Sequence, residues 1–209
     1  MYRLGLLTPT QRSRIGGGAL VAGTVLLVVA VWWVHYAGFP RTIVVDGVEQ
    51  PLVVDYFNWV PRGWLPKSLG YLAAFGASQL LLGGAGIAFV LGRRMTWARA
   101  AFAAWLAWIE LVLLFGIVPS EWLNLSQTDL DWSRERIAVS IPAWLVLGNQ
   151  VDISLAALKD AISGGYHLVM LGAAAVFAYK LQDVGKARPA VAEKPKISPY
   201  GRPLVKGEG

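Results

Sequence analysis

ALVAGTVLLVVAVWWVHYA, residues 19–37, decides the fold: nineteen positions in a row without Asp, Glu, Lys or Arg. A helix needs about 20 apolar residues to cross a hydrocarbon core about 30 Å thick. Three more stretches are also strongly apolar: Leu69–Leu91, again without a charged residue, Trp97–Val118, which contains Arg99 and Glu110, and Ala161–Leu181, which has Lys180 near its end. Across all 209 residues 56% are hydrophobic and only 15% charged, well below the roughly 25% charge of a soluble domain. The expected fold class is therefore all-α integral membrane, a four-transmembrane-helix bundle.

Charge orients the bundle. Thirteen of the 19 basic residues precede the first stretch, crowd the turn between the second and third, or follow the fourth. Among them are Arg12, Arg14, Arg93, Arg94, Arg99 and Lys180. The two longer connections, 38–68 and 119–160, carry six basic residues against nine acids. By the positive-inside rule both termini are expected in the cytoplasm and both long connections outside. The formal net charge of +6 is thus a topology signal, and no nucleic-acid partner is expected. The expected location is the bacterial cytoplasmic (inner) membrane, with the lipid bilayer as the first partner.

The expected organisation is a basic leader over 1–15, a membrane domain over 16–182 and a disordered basic, proline-rich tail over 183–209. The leader fits a signal peptide, but the apolar run exceeds the usual about 7–15 residues. His35-Tyr36-Ala37 is not a small-x-small cleavage site either, so the first stretch reads as a retained helix. The chain contains no cysteine. That excludes disulfides, thiolate zinc sites, iron–sulfur ligation and covalently attached haem.

Small residues offer close helix packing, the main source of association where apolar attraction is cancelled by lipid. Gly16-Gly17-Gly18 is expected to open the first helix, with Ala19 and Gly23 extending a small-residue face. The second helix carries Gly76, Gly83, Gly84 and Gly86; the third carries Ala100, Ala101, Ala103, Ala104 and Ala107.

The first long connection holds two β-prone runs, Thr42–Val45 and Val48–Val54, around Asp46-Gly47. An Asp-Gly pair accepts the positive φ values of a type I′ hairpin turn, so an outer cap containing a β-hairpin is expected. The second long connection contains Ile141–Leu147, too short to span and expected to re-enter or lie flat at the interface. Asn149 or Asp152 is expected to cap a helix through Ser154–Ile162. Trp59, Trp64, Trp122 and Trp132 are candidates for a docking surface on that side, beside their ordinary role as membrane anchors.

Ionisable groups inside spans are functional candidates by default. Glu110 lies about eight residues, or roughly 12 Å, below the outer end of the third stretch, and His167 about six residues, or roughly 9 Å, below that of the fourth. Gln79 is near the middle of the second stretch and His35 near the end of the first. Glu110 with His167 fits either a structural pair between helices or a site that binds and deprotonates a quinol. His35 and His167, the chain's two histidines, are the candidate axial ligands of a b-type haem. No metal site, nucleophilic triad or phosphate-binding motif is present, no catalytic residue is assigned and no cofactor is required.

The stretch from Gln79 to Trp108, with its glycine-rich helix, Gly92-Arg93-Arg94 turn and alanine-rich helix, resembles the DoxX-type four-helix membrane proteins. The resemblance implies a quinone-linked oxidoreductase; it carries no functional residue across, and the long outer loops depart from the compact family pattern. The leading expectation is an accessory or structural subunit of a bacterial energy-transducing (quinol or cytochrome) membrane complex, part of a respiratory electron-transport chain. The alternatives are a small membrane oxidoreductase that binds quinone or haem itself, and a transporter component.

Overall fold

A computed structural model describes residues 7–181. The expected disordered tail, 183–209, and the first six residues of the leader lie outside the described residues. Four helical segments are long and apolar enough to cross a membrane: Pro9–Ala37, Trp64–Val90, Trp97–Asp129 and Leu155–Lys180. Between them stand two separate two-stranded antiparallel hairpins. The chain divides after His167; the unit beyond it contains, among the described residues, only the second half of the last helix.

Helix α1 (Pro9–Ala37) starts a full ten residues before the apolar run at Ala19. Thr8 makes the difference: its hydroxyl accepts the Gln11 N–H while the Gln11 side chain accepts the Thr8 N–H. That reciprocal cap satisfies two donors of the first turn, and Pro9 supplies a preset φ at the first helical position. Gly16-Gly17-Gly18 therefore lies inside the helix instead of opening it.

Helix α2 (Trp64–Ala85) continues through a wider π turn, Gly86–Val90, and packs antiparallel along α1. The buried residues of α1 are Gly16, Gly23, Ala30 and Ala37, and those of α2 include Gly70, Ala77 and Gly84. Each set recurs every seven residues, the spacing that keeps one seam facing its partner in a left-handed supercoil. The facing pairs follow one register. A Cβ on Gly16 would sit 2.8 Å from the Gly84 carbonyl oxygen, and one on Gly23 3.0 Å from that of Ala77. At the far end the Gly63 N–H donates to the Ala37 carbonyl at 3.1 Å, and a Cβ on Gly70 would meet Trp33 and Val34 of α1. Only residues with little or no side chain allow backbones this close. Gly17, Gly18, Gly76, Gly83 and Gly86, by contrast, face open space.

At the end of this pair the first connection folds back on α1. Strands β1 (Thr42–Val45) and β2 (Val48–Pro51) pair as a hairpin with Val45 opposite Val48. Asp46 (φ 52°) and Gly47 (φ 78°) supply the positive angles of the turn. An isolated two-stranded hairpin is marginal. This one is held at its base, where the Leu52 N–H donates to Arg41 O and the Arg62 guanidinium donates to the carbonyls of Leu52 and Pro40.

The third segment runs as α3 (Trp97–Val112), a π turn (Leu113–Ile117), α4 (Val118–Asn124) and a second π turn (Leu125–Asp129). Its 33 residues make a rod of about 50 Å, longer than the about 30 Å of hydrocarbon. The helix continues past Val118, where the apolar run stops, and its polar end carries Glu121 and Asp129. A salt bridge of 3.2 Å from Lys67 to Asp129 ties that end to the start of α2.

In the second connection Ile141–Leu147 closes a hairpin. Strand β3 (Ile137–Ile141) pairs with β4 (Val151–Ser154), and the apolar run becomes the hairpin's tip, with one 3-10 turn over Ala143–Leu145. β-Branched residues at Ile137, Val139, Ile141, Val151 and Ile153 favour strand here. Helix α5 (Leu155–Leu181) begins directly after β4. Its cap is Ser154, whose hydroxyl accepts the Ala157 N–H. Asn149 lies before β4 and Asp152 within it, so neither can cap. The base of the hairpin is locked to α5 by Leu155 N–H to Arg136 O, 2.7 Å, and Ala156 N–H to Ser133 O, 3.2 Å.

Candidate functional site

The polar residues of the helices mostly bond within the chain. Gln79 on α2 donates from its side-chain amide to a Glu110 carboxylate oxygen on α3, 3.0 Å away. The bond is part-buried and links two helices of membrane-spanning length, and side chains that hydrogen-bond across helices hold such bundles together. Glu110 thus takes Gln79 as its hydrogen-bond partner.

His167 is turned toward its own helix. Its Nδ1 lies 2.7 Å from the Ser163 carbonyl oxygen, one turn back. A carbonyl only accepts, so Nδ1 carries a proton in this contact. The imidazole lies beside the rings of Phe115 and Tyr166. Phe115 is five residues beyond Glu110, roughly 7.5 Å along the axis at the usual helical rise.

Between those levels stands Tyr166, which sequence reasoning passed over. Its hydroxyl donates to the Leu114 carbonyl at 2.8 Å. In the π turn the Val118 N–H bonds Leu113 O, one residue back from its α-helical acceptor Leu114. The next candidate donor, Pro119, has no N–H. Leu114 O therefore loses its helical donor, and Tyr166 replaces it from α5. The signal was present in Pro119 and in a tyrosine inside an apolar stretch, but their meeting depends on how α5 docks.

His35 sits in the last turn of α1, with its ring against Tyr36 and Phe39, each at 5.1 Å between centroids. Among the described ring contacts these neighbours and those of His167 have no residue in common. Among the described residues no group of three or more His, Cys, Asp or Glu could hold a metal ion.

The four tryptophans divide into two pairs. Trp122 and Trp132 stack edge to face at 5.5 Å, and the Trp122 indole donates to Lys159 O at the start of α5. Both are half-buried and build the interior of the second connection, over the fully buried Ser126. Trp59 and Trp64 are exposed, at 67% and 45%. Trp59 leans on Trp32, and Phe57 fits between Trp32 and Tyr36, so the aromatic segment of the first connection is clasped to the end of α1. A further tryptophan, Trp144, is more exposed than either.

No family model matches this sequence, and comparison with curated proteins and with solved structures finds no similar chain. The likeness of Gln79–Trp108 to DoxX-type proteins stands as one of composition.

Proposed function

We propose that this chain is an accessory, structural subunit of a larger membrane complex, with both termini cytoplasmic and the hairpin-bearing connections outside. The observation that carries the proposal is where the intramembrane polar groups are spent. Gln79 with Glu110 and Tyr166 with Leu114 O join helices, while Thr24, Ser78 and His167 bond carbonyls of their own helices. This is how polar groups are used to hold a scaffold. The apolar windows of Trp97–Asp129 and Leu155–Lys180 bury none of their residues within the chain, which supports outward faces given to lipid or to neighbouring subunits. An energy-transducing quinol or cytochrome assembly of the bacterial cytoplasmic membrane is the working identity of the complex.

Purification of the tagged protein from its native membranes in mild detergent, followed by mass spectrometry, tests this. Stoichiometric recovery of oxidase or quinol-reductase subunits is the expected result. Recovery of the chain alone would refute the subunit reading.

One observation favours a second reading, a quinone-binding oxidoreductase. A carboxylate, an amide and a phenol, Glu110, Gln79 and Tyr166, stand within about one helical turn of each other on three helices, and a quinol needs a hydrogen-bond donor and a proton acceptor. On that reading Glu110→Gln abolishes quinol turnover in a protein that remains folded; on the structural reading the substitution leaves turnover of the complex intact.

A further inference from the structure

The two hairpins differ in chemistry. The tip of β1–β2 is Asp46-Gly47, flanked by Glu49. From Ile137 to Val151, through β3 and the tip into β4, there is no charged residue at all. The tip leaves Trp144 78%, Leu145 58% and Leu147 98% exposed. Leu147 also adopts a positive φ of 55°, the left-handed region that residues other than glycine rarely take. The chain places a nearly fully exposed leucine at a strained position in front of Gly148.

The strands continue the pattern. Val139 pairs with Ile153 and Ile141 with Val151, whereas Ser140 pairs with Asp152. Successive side chains alternate between faces, so Val139, Ile141, Val151 and Ile153 share one face, with Ser140 and Asp152 on the other. Val139 and Val151 are exposed. The hairpin is amphipathic along its length, and its apolar face runs into the apolar tip. Its base is hydrogen-bonded to the first turn of α5, so the hairpin springs from the head of a membrane-spanning segment.

We propose that the β3–β4 hairpin is a lipid-binding element that lies along the outer surface of the same bilayer, apolar face down, with Trp144, Leu145 and Leu147 inserted at headgroup depth. Three arguments select lipid as the occupant. Tryptophan is enriched at the headgroup level, where its ring is apolar and its N–H stays wet. The apolar face and tip amount to seven side chains, far short of the roughly 20–30 residues a side that a stable protein interface uses. The absence of charge from Ile137 to Val151 leaves nothing to give a protein partner register or specificity. Full re-entry is excluded because open strand edges cannot enter hydrocarbon without partners.

The proposal rests on the chain spanning a bilayer, and one experiment separates the two. The cysteine-free chain accepts single reporters: Leu147→Cys and Val139→Cys on the hairpin, Ser140→Cys on its polar face, Asp46→Cys at the other hairpin, and Val28→Cys on the exposed side of α1. Each full-length variant is labelled with an environment-sensitive fluorophore and reconstituted in phosphatidylcholine vesicles. Nitroxide-bearing lipid is the membrane quencher and iodide the aqueous one. The expected result is that positions 147, 139 and 28 are quenched by the lipid nitroxide and shielded from iodide, while 140 and 46 show the reverse. Iodide quenching at 147 and 139 with lipid quenching at 28 overturns the hairpin proposal alone. Shielding of 147 and 139 from both quenchers means protein covers the hairpin and also overturns it. Loss of lipid quenching at 28 overturns the membrane reading itself.

Discussion

Gly16 and Gly17 are neighbours on α1, and the structure predicts opposite outcomes for the same substitution at the two sites. A Cβ at Gly16 would lie 2.7 Å from the Ala88 backbone nitrogen and 2.8 Å from both the Ala88 Cβ and the Gly84 carbonyl oxygen. At Gly17 a Cβ meets nothing within 4 Å. Alanine in place of glycine inside a helix is worth about 0.5–1 kcal/mol through reduced backbone entropy, and that gain applies at both positions. At Gly16 two backbones must also separate by roughly 0.6 Å, a gap that forfeits about a quarter to a half of the dispersion attraction of the atoms involved. The seam is continuous, so Ala19, Leu20 and Gly23 lose contact too. Overpacking of this kind costs about 1–3 kcal/mol. Gly17→Ala should therefore be stabilised by the propensity term alone, and Gly16→Ala should fall below it by about 1–3 kcal/mol. A chain of this size moves about 2–4 °C in Tm per kcal/mol, so the two variants should be separated by several degrees. Unfolding in dodecylmaltoside, driven by heat or by added dodecyl sulfate and followed by circular dichroism, measures the difference. Equal stability of the two variants, or a more stable Gly16→Ala, would refute the close seam between α1 and α2.

Three further outcomes are expected. Tyr166→Phe leaves the Leu114 carbonyl without its donor and should cost about 0.6–1.7 kcal/mol, the range found for interhelical hydrogen bonds in membranes. Pro119→Ala restores a backbone N–H near that carbonyl, so in its background the Tyr166→Phe cost should shrink, and a double-mutant cycle reads the coupling. Glu110→Gln keeps an acceptor for the Gln79 amide, whereas Glu110→Leu removes it; the leucine variant should be the less stable of the two by about 1 kcal/mol, checked by the same unfolding assay. In the turn before β3, the hydrogen bond from the Glu135 backbone, then that from Ser133, holds the exposed Glu135 carboxyl below its ordinary pKa. A depressed carboxyl stabilises the turn above the unfolded-state value and loses that contribution as pH falls through the folded-state value. Protection of the Leu155 amide, which is bonded to Arg136 O, measured as its exchange rate relative to that of the unstructured chain at the same pH, should therefore fall in acid in the native protein and show little pH response of this origin in Glu135→Gln.

Sequence alone determined the features that depend on local composition. Four long apolar runs place four helices of membrane-spanning length, because that property is set residue by residue. Asp46-Gly47 placed the first hairpin, because few dipeptides accept two positive φ angles in succession. Gln79 and Glu110 stood out because polar groups are rare in apolar stretches. Other features depend on what meets across the fold, and only the tertiary structure decided them. Seven-residue spacing is visible at Gly16, Gly23, Ala30 and Ala37 once the partner is known, but glycines such as Gly17 and Gly83 look identical in sequence and face open space. Glu110 found Gln79 because the α2–α3 register brought them to one level. The apolar run Ile141–Leu147 shows in sequence only that it is too short to span; that it closes a hairpin depends on β4 supplying its partner. Tyr166 is one of seven tyrosines; its role exists because a π turn and Pro119, on another helix, left one carbonyl without a donor.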